Sequence, residues 1–321
     1  GAGGGRNVEE GPGELDSNYY YGFNTKINQN LRGELKPTVV MRVRSQAEGF
    51  WRVLGFDRYT GQGWEISRND RTFKVDRPRW SYQFWIPIFP YANRSQEVVQ
   101  TYSIVSDLPN LIPAMPYAKQ LYFPTQQIAV DAEGALRSPP QVGLPAGITY
   151  SVISDVPYRD RTLLGKAGTK YSKNIQQYYL QVPPQIQEKV RKRTEEILAN
   201  VNKVAKDSKP ITSPYEKALY LAQYLKQNPN YKLQQNPPFL AENEDLVEAF
   251  LFGYKNSSPE GKITGGYPDH FSTVLTIMLR SIGIPARLVG GFGAGEFNPF
   301  TGYYIVRNTD AFLMTEVFFP K

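Results

Sequence analysis

The sequence predicts an α+β protein, an N-terminal β-sandwich-like domain followed by an α+β core. Three observations carry that prediction. Up to about residue 156, apolar and polar residues alternate in short runs punctuated by Gly and Pro. From about residue 157 the apolar spacing changes to three and four, the period of a helix face. After about residue 244 one strong helical stripe is followed by three strand-like runs.

The chain has 321 residues, enough for two domains at roughly 100–200 residues each. Residues 1–17 are Gly-rich and acidic without periodicity and read as a disordered or cloning-derived tail. Gly1 to Gly5 in particular reads as a cut end, so the chain is expected to be a piece of a longer protein. Residues 18–156 form the β-rich domain, and residues 157–321 form the helical region and the α+β core.

Val39, Met41 and Val43 alternate with Val40, Arg42 and Arg44, as on a half-buried strand. Phe50 to Tyr59 follows, and Tyr59-Thr60-Gly61-Gln62-Gly63 makes a turn before Trp64 and Ile66. Trp51 and Trp64 are expected to fill the core rather than serve as ligand platforms. Further strands are expected at Tyr82–Ile86, Val98–Val105, Gln120–Phe123, Ile128–Asp131 and Thr149–Ile153. In the helical region Ile186, Val190, Thr194, Ile197, Val201 and Val204 form one stripe after Pro183 and Pro184. Arg191–Glu195 and Lys192–Glu196 stand on its wet side at i,i+4 spacing. The next helix is marked by Ser213 as cap, Pro214 in the first position and Glu216 three residues on. Leu246 to Phe252 is a short apolar helix. Phe271, Val274, Leu275, Met278, Leu279 and Ile282 form the strongest stripe, which Gly283 ends and Pro285 blocks. Strands are then expected at Ala286–Phe292, Gly302–Val306 and Thr315–Phe319.

Composition narrows the function classes. Hydrophobic residues make up 40% of the chain, sufficient for a buried core. The net charge is +7, and the segment Arg159–Lys209 alone holds 12 basic and 5 acidic residues. That run reads as a solvated helix face before it reads as a contact for lipid headgroups or an acidic partner. No Gly-rich phosphate loop, zinc-ligand set or RNA-recognition signature is present, which speaks against nucleic acid as a partner. There is no cysteine, so thiol chemistry and disulfides are excluded. The longest apolar run, Phe84 to Ala92, is broken by Pro87 and Pro90 and is too short to span a membrane.

Several motifs in the last third resemble the transglutaminase core. They are Gly265-Gly266-Tyr267-Pro268-Asp269-His270-Phe271 with its helix, Gly283-Ile284-Pro285-Ala286-Arg287, Gly302-Tyr303-Tyr304-Ile305-Val306-Arg307, and Asp310-Ala311-Phe312-Leu313-Met314-Thr315-Glu316-Val317. Upstream, Phe50-Trp51-Arg52-Val53 through Gly63-Trp64 resembles the β domain that precedes this core in bacterial membrane-anchored members. The resemblance implies a transglutaminase/papain-like fold for the core. It also implies a location outside the cytoplasmic membrane, on the periplasmic side, as a soluble piece of a membrane-embedded parent.

That family's chemistry uses Cys, His and Asp. A Cys at a helix N-terminus is held as thiolate by the helix dipole, a His on a neighbouring strand acts as base, and the Asp orients it. Here the position matching the Cys is Pro268 and the position matching the His is Phe312, neither of which can do that work. The Asp position falls on a strand after Phe319, past the last residue of this sequence, so the core is expected to be truncated there and to leave a sheet edge open. The resemblance therefore implies a pseudoenzyme: a binding or structural module whose ligand is a protein, a peptide or a cell-wall component. The candidate cleft consists of Pro268, Asp269, His270 and Phe312, either open or filled by Phe312 packing on Pro268. The alternative is a cysteine-independent amidohydrolase or peptidase with catalytic groups relocated around His270, the sole histidine. It needs an exposed His270 with a carboxylate in reach. Ser272 and Thr273 would lack a well-placed base, and Asp269, His270 and Glu316 match no metal-ligand spacing. No cofactor is expected.

Overall fold

A computed structural model describes residues 24–31, 35–87, 95–204, 210–258 and 261–320, without the side chains of 202–204; the segment 1–17 lies outside the described residues. The first half folds into β1 (Lys26–Asn28), β2 (Val39–Ser45), β3 (Trp51–Phe56), β4 (Arg58–Tyr59), β5 (Gly63–Glu65), β6 (Thr72–Asp76) and β7 (Gln83–Trp85). It continues with β8 (Ser95–Ile104), β9 (Leu111–Ile112), β10 (Ala118–Tyr122), β11 (Gln127–Asp131), β12 (Leu136–Arg137) and β13 (Thr149–Pro157). The helices follow as α1 (Arg161–Gly165), α2 (Lys173–Tyr179), α3 (Pro184–Val204), α4 (Pro214–Gln227), α5 (Leu246–Phe252) and α6 (Pro268–Ser281). The chain closes with β14 (Ala286–Phe292), β15 (Glu296–Asn298), β16 (Tyr303–Arg307) and β17 (Ala311–Val317). The architecture is the α+β one, a strand-rich N-terminal part followed by the helical core.

Among the described residues, the strands form four antiparallel sheets. The largest has the order β15-β16-β2-β8-β13-β10-β7; the others are β6-β11-β12-β9, β1-β5-β4 and β17-β14-β3. Two of these sheets draw strands from both halves of the chain. β16 pairs with β2, placing Tyr304 opposite Val43, and β3 pairs with β14, placing Phe56 opposite Leu288. One buried cluster accordingly runs from Val43, Trp51 and Tyr102 to Val190, Leu221, Ile277 and Leu288. Trp51 and Trp64 are fully buried in it. Trp51 meets Tyr102 and Tyr304 edge-on at 5.9 and 6.1 Å, and Trp64 lies 5.3 Å from Tyr59.

The helices form where the local signals stand. Ser213 Oγ accepts from the Glu216 N–H and Pro214 occupies the first turn of α4. In α3, Ile186, Val190, Thr194 and Ile197 are buried, while Arg191 pairs with Glu195 at 2.8 Å and Glu188 at 2.7 Å. Glu196 faces Arg193 at 3.9 Å. α6 buries Val274, Ile277, Met278 and Leu279 completely, each worth roughly 1.5–3 kcal/mol of transfer free energy. It ends at Gly283, whose φ of +84° is the left-handed cap conformation a Cβ disfavours.

Two expectations need correction. The last strand begins at Ala311 rather than Thr315, because β14 offers a full-length ladder that pairs Phe292 with Ala311 and Gly291 with Phe312. β6 was not expected, although Phe73 and Val75 alternate with Thr72, Lys74 and Asp76; four of its five residues are exposed. It exists because β11 pairs along its whole length. β17 is an edge strand among the described residues.

Candidate functional site

The site is built around the first turn of α6. The chain enters it through Gly265 and Gly266, both forced by close approach. A Cβ on Gly265 would lie 2.0 Å from the Lys232 carbonyl oxygen, and one on Gly266 would lie 2.6 Å from His270 Nδ1. Tyr267 is the N-cap and Pro268 the first helical residue, where a missing N–H costs nothing. Pro268 is exposed. The Asp269 carboxylate accepts from the Leu313 N–H at 3.0 Å. His270 is buried, only 3% exposed. Its Nδ1 accepts from the Tyr267 N–H at 3.3 Å and its Nε2 lies 2.9 Å from the Gln29 carbonyl oxygen. A donor on one nitrogen and an acceptor on the other fix the neutral ring with its proton on Nε2.

The segment after β1 covers the helix start from one side. Besides receiving His270, Gln29 accepts from Thr273 Oγ1 at 2.7 Å, and Thr273 in turn accepts from the Trp64 indole at 3.0 Å. From the other side comes β17. Ser272 Oγ donates to the Leu313 carbonyl at 2.9 Å, and Thr315 Oγ1 donates to the Ser272 carbonyl at 2.9 Å. These contacts set the first turn of α6, where Pro268 precedes Asp269, against β17, where Phe312 precedes Leu313. The Phe312 ring packs on Phe50, centroids 5.0 Å apart, and stays 38% exposed. A cavity of about 350 Å³ lies at the opposite end of α6, bordered by Thr212, Pro214, Lys217, Ile282, Gly283 and Ile284.

What this arrangement can do chemically is limited. His270 does not meet the condition of an exposed ring beside a carboxylate; the ring anchors the N-cap to Gln29. The Ser272 and Thr273 hydroxyls are donated to a carbonyl and an amide oxygen, and neither is bonded to an imidazole. Glu316 is engaged by two arginines, and no group of three or more metal-ligating side chains occurs among the described residues.

A second cluster escaped sequence reasoning. Glu133, whose side chain is fully buried, receives Arg287 at 2.8 Å, Arg68 at 3.1 Å and the Tyr179 hydroxyl at 2.8 Å. Glu316 binds Arg287 at 2.6 Å and Arg52 at 3.2 Å. Burial alone would raise the Glu316 carboxyl, but Arg287 and Arg52 outweigh it and hold it at about 2. Burial, reinforced by Glu133, pushes the Tyr179 phenol up to about 12. The network ties β3, β14, β17, α2 and the turn after β11 together, and so holds the strand that carries Phe312. The partners lie 154 residues apart for Glu133 and Arg287, and 264 apart for Arg52 and Glu316. No local pattern could announce them.

Residues 202–321 match the transglutaminase-like superfamily and residues 22–161 match the TgpA N-terminal domain. The first match spans the C-terminal part of the helical region and the core, and the second spans the strand-rich part before them. Among individual proteins, it is 24% identical over 299 residues to the uncharacterized protein YebA of Bacillus subtilis, covering 88% of this chain and 37% of YebA. It is 34% identical over 85 residues to the protein-glutamine gamma-glutamyltransferase of Pseudomonas aeruginosa, covering 26% of this chain and 11% of that enzyme. It spans little more than a third of the longer-matched of these relatives. The crystal structure of the periplasmic domain of Pseudomonas aeruginosa TgpA superposes with a TM-score of 0.61 at 20% identity, covering 89% of this chain and 85% of that one. That likeness establishes a shared fold. Among the described residues, no helix is long and apolar enough to cross a membrane.

Proposed function

We propose that this chain is a non-catalytic transglutaminase-like module, acting outside the cytoplasm as a binding or structural domain of a membrane protein. The observation that carries the proposal is Pro268 at the first position of α6 and Phe312 on β17, in a chain that has no cysteine. A proline supplies no nucleophilic atom and a phenylalanine accepts no proton, so the scaffold persists without the atoms that would react. The half-exposed Phe312 ring, packed on Phe50, and the exposed Pro268 favour an open apolar ledge that takes a protein, peptide or cell-wall ligand. The extracytoplasmic assignment draws on the periplasmic origin of the TgpA domain with the same fold.

Reconstitution tests the assignment of the two positions. Pro268→Cys alone is expected to stay inert in amine incorporation into a glutamine-containing protein, because no base faces the thiol. Pro268→Cys with Phe312→His, in the full-length parent, is expected to regain turnover. Full activity of the single variant would show that the base lies elsewhere and that the reading of Phe312 is wrong.

A further inference from the structure

Of the protein's four tryptophans, Trp51 and Trp64 are fully buried, whereas Trp80 is 88% and Trp85 61% exposed. Isolated exposed aromatics are ordinary, but here they cluster at one end of the large sheet. Among the described residues β7 is the edge strand, and Gln83 and Trp85 stand opposite Tyr122 and Gln120 of β10. Phe84 and Leu121 between them are fully buried, so Trp85 and the 38% exposed Tyr122 emerge together on the solvent face as diagonal neighbours. The loop leading into β7 is held firmly. The Arg77 guanidinium donates to the Thr125 carbonyl at 2.6 Å and the Ser81 carbonyl at 2.8 Å, and lies 4.6 Å above the Tyr82 ring. Trp80 stands in this pinned loop, and Tyr82 is 61% exposed. The segment Arg71–Pro87 contains four basic residues and one acidic.

We infer that this edge is a docking surface for an anionic lipid bilayer, with Trp80, Trp85 and Tyr122 seated at headgroup depth and Arg79 and Lys74 against the lipid phosphates. Trp and Tyr rings pair an apolar body with one polar handle, which matches the boundary between headgroups and acyl chains. The positive surplus complements a negatively charged leaflet. A saccharide platform would instead pair its rings with several carboxylates or amides in a groove, and these rings stand on a sheet edge and a loop with a single carboxylate in the segment. The inference rests on exposed side chains of this chain and does not depend on a membrane-anchored parent.

The experiment mixes the purified chain with vesicles of phosphatidylcholine, with and without phosphatidylglycerol, and follows sedimentation and tryptophan emission. Because Trp51 and Trp64 are already dry, a blue shift reports on Trp80 and Trp85. The expected result is binding to the phosphatidylglycerol vesicles that weakens in high salt, a blue shift, and quenching by brominated acyl chains. Trp80→Ser with Trp85→Ser should weaken binding by roughly tenfold or more, with an unchanged melting temperature, since both rings are exposed. Phe300→Ser, at the 97% exposed tip between β15 and β16 on the opposite edge of the same sheet, should leave binding intact. Absence of quenching, an unaffected double variant, or an equal loss from Phe300→Ser overturns the inference. So does pelleting with insoluble cell-wall glycan that depends on Trp80 and Trp85 while vesicles are ignored.

Discussion

The buried charge network offers the sharpest test of how the scaffold is held, through Glu133→Gln. Glutamine keeps the shape and one acceptor oxygen but removes the charge that faces Arg68 at 3.1 Å and Arg287 at 2.8 Å. Removing one partner of a buried ion pair costs about 3–5 kcal/mol, because the remaining charge is left uncompensated. Three features place this case near the low end. Arg287 keeps Glu316 at 2.6 Å, Arg68 is 18% exposed and regains some hydration, and Tyr179 can still donate to the amide oxygen. The expected loss is about 3 kcal/mol, read as a lower urea midpoint at unchanged slope. The double variant Glu133→Gln with Arg68→Met should lose less than the sum of the two single variants, because it removes one of the stranded charges. A loss below about 1 kcal/mol for Glu133→Gln, or strict additivity in the double variant, would refute the reasoning and make the network ornamental.

Other expectations follow from the same geometry. Burial, only partly offset by hydrogen bonds from the Glu248 N–H and the Tyr59 hydroxyl, raises the Asp245 carboxyl to about 6. The native state therefore holds this proton more tightly than the unfolded chain. The resulting stability is full below about pH 4 and is lost as pH rises through about 6, a change of roughly 3 kcal/mol at most. Asp245→Asn should flatten the chemical-denaturation profile across that window. Glu316, held at about 2, has the opposite sign: its contribution is present above about pH 4.5 and is lost as pH falls toward 2. Its side chain is 32% exposed, so screening cuts the contribution to roughly 1–2 kcal/mol; Glu316→Gln should remove that part of the acid limb. Gly266→Ala places a methyl group 2.6 Å from His270 Nδ1 and should cost about 1–3 kcal/mol by overpacking, measurable by calorimetry.

The sequence carries much of this fold and less of its assembly. α6 was legible because Val274, Met278 and Leu279 fall on one stripe and Gly283 with Pro285 marks its end. α4 was legible because Ser213-Pro214 is a strong start signal. β6 was legible only as the short alternation of Phe73 and Val75 with Thr72, Lys74 and Asp76, and pairing with β11 decides its conformation. The crossing of β3 into the β14–β17 sheet, and of β16 into the β2 sheet, is a choice of partner, which periodicity does not encode. At the site, Pro268 as the first residue of α6 could be read from the sequence alone. The role of Gln29 could not, since it reaches His270 across 241 residues of chain.

The central claim, that this core no longer catalyses, is tested most directly by an activity assay on the purified chain and on a longer parent run side by side. A glutamine-containing protein with a labelled amine reports transamidation, and a peptide mixture reports hydrolysis. His270→Ala and added chelator serve as controls. The expected result is no turnover in either protein under either assay. Turnover that disappears with His270→Ala or with chelator would contradict the claim and locate a cysteine-free site at the start of α6.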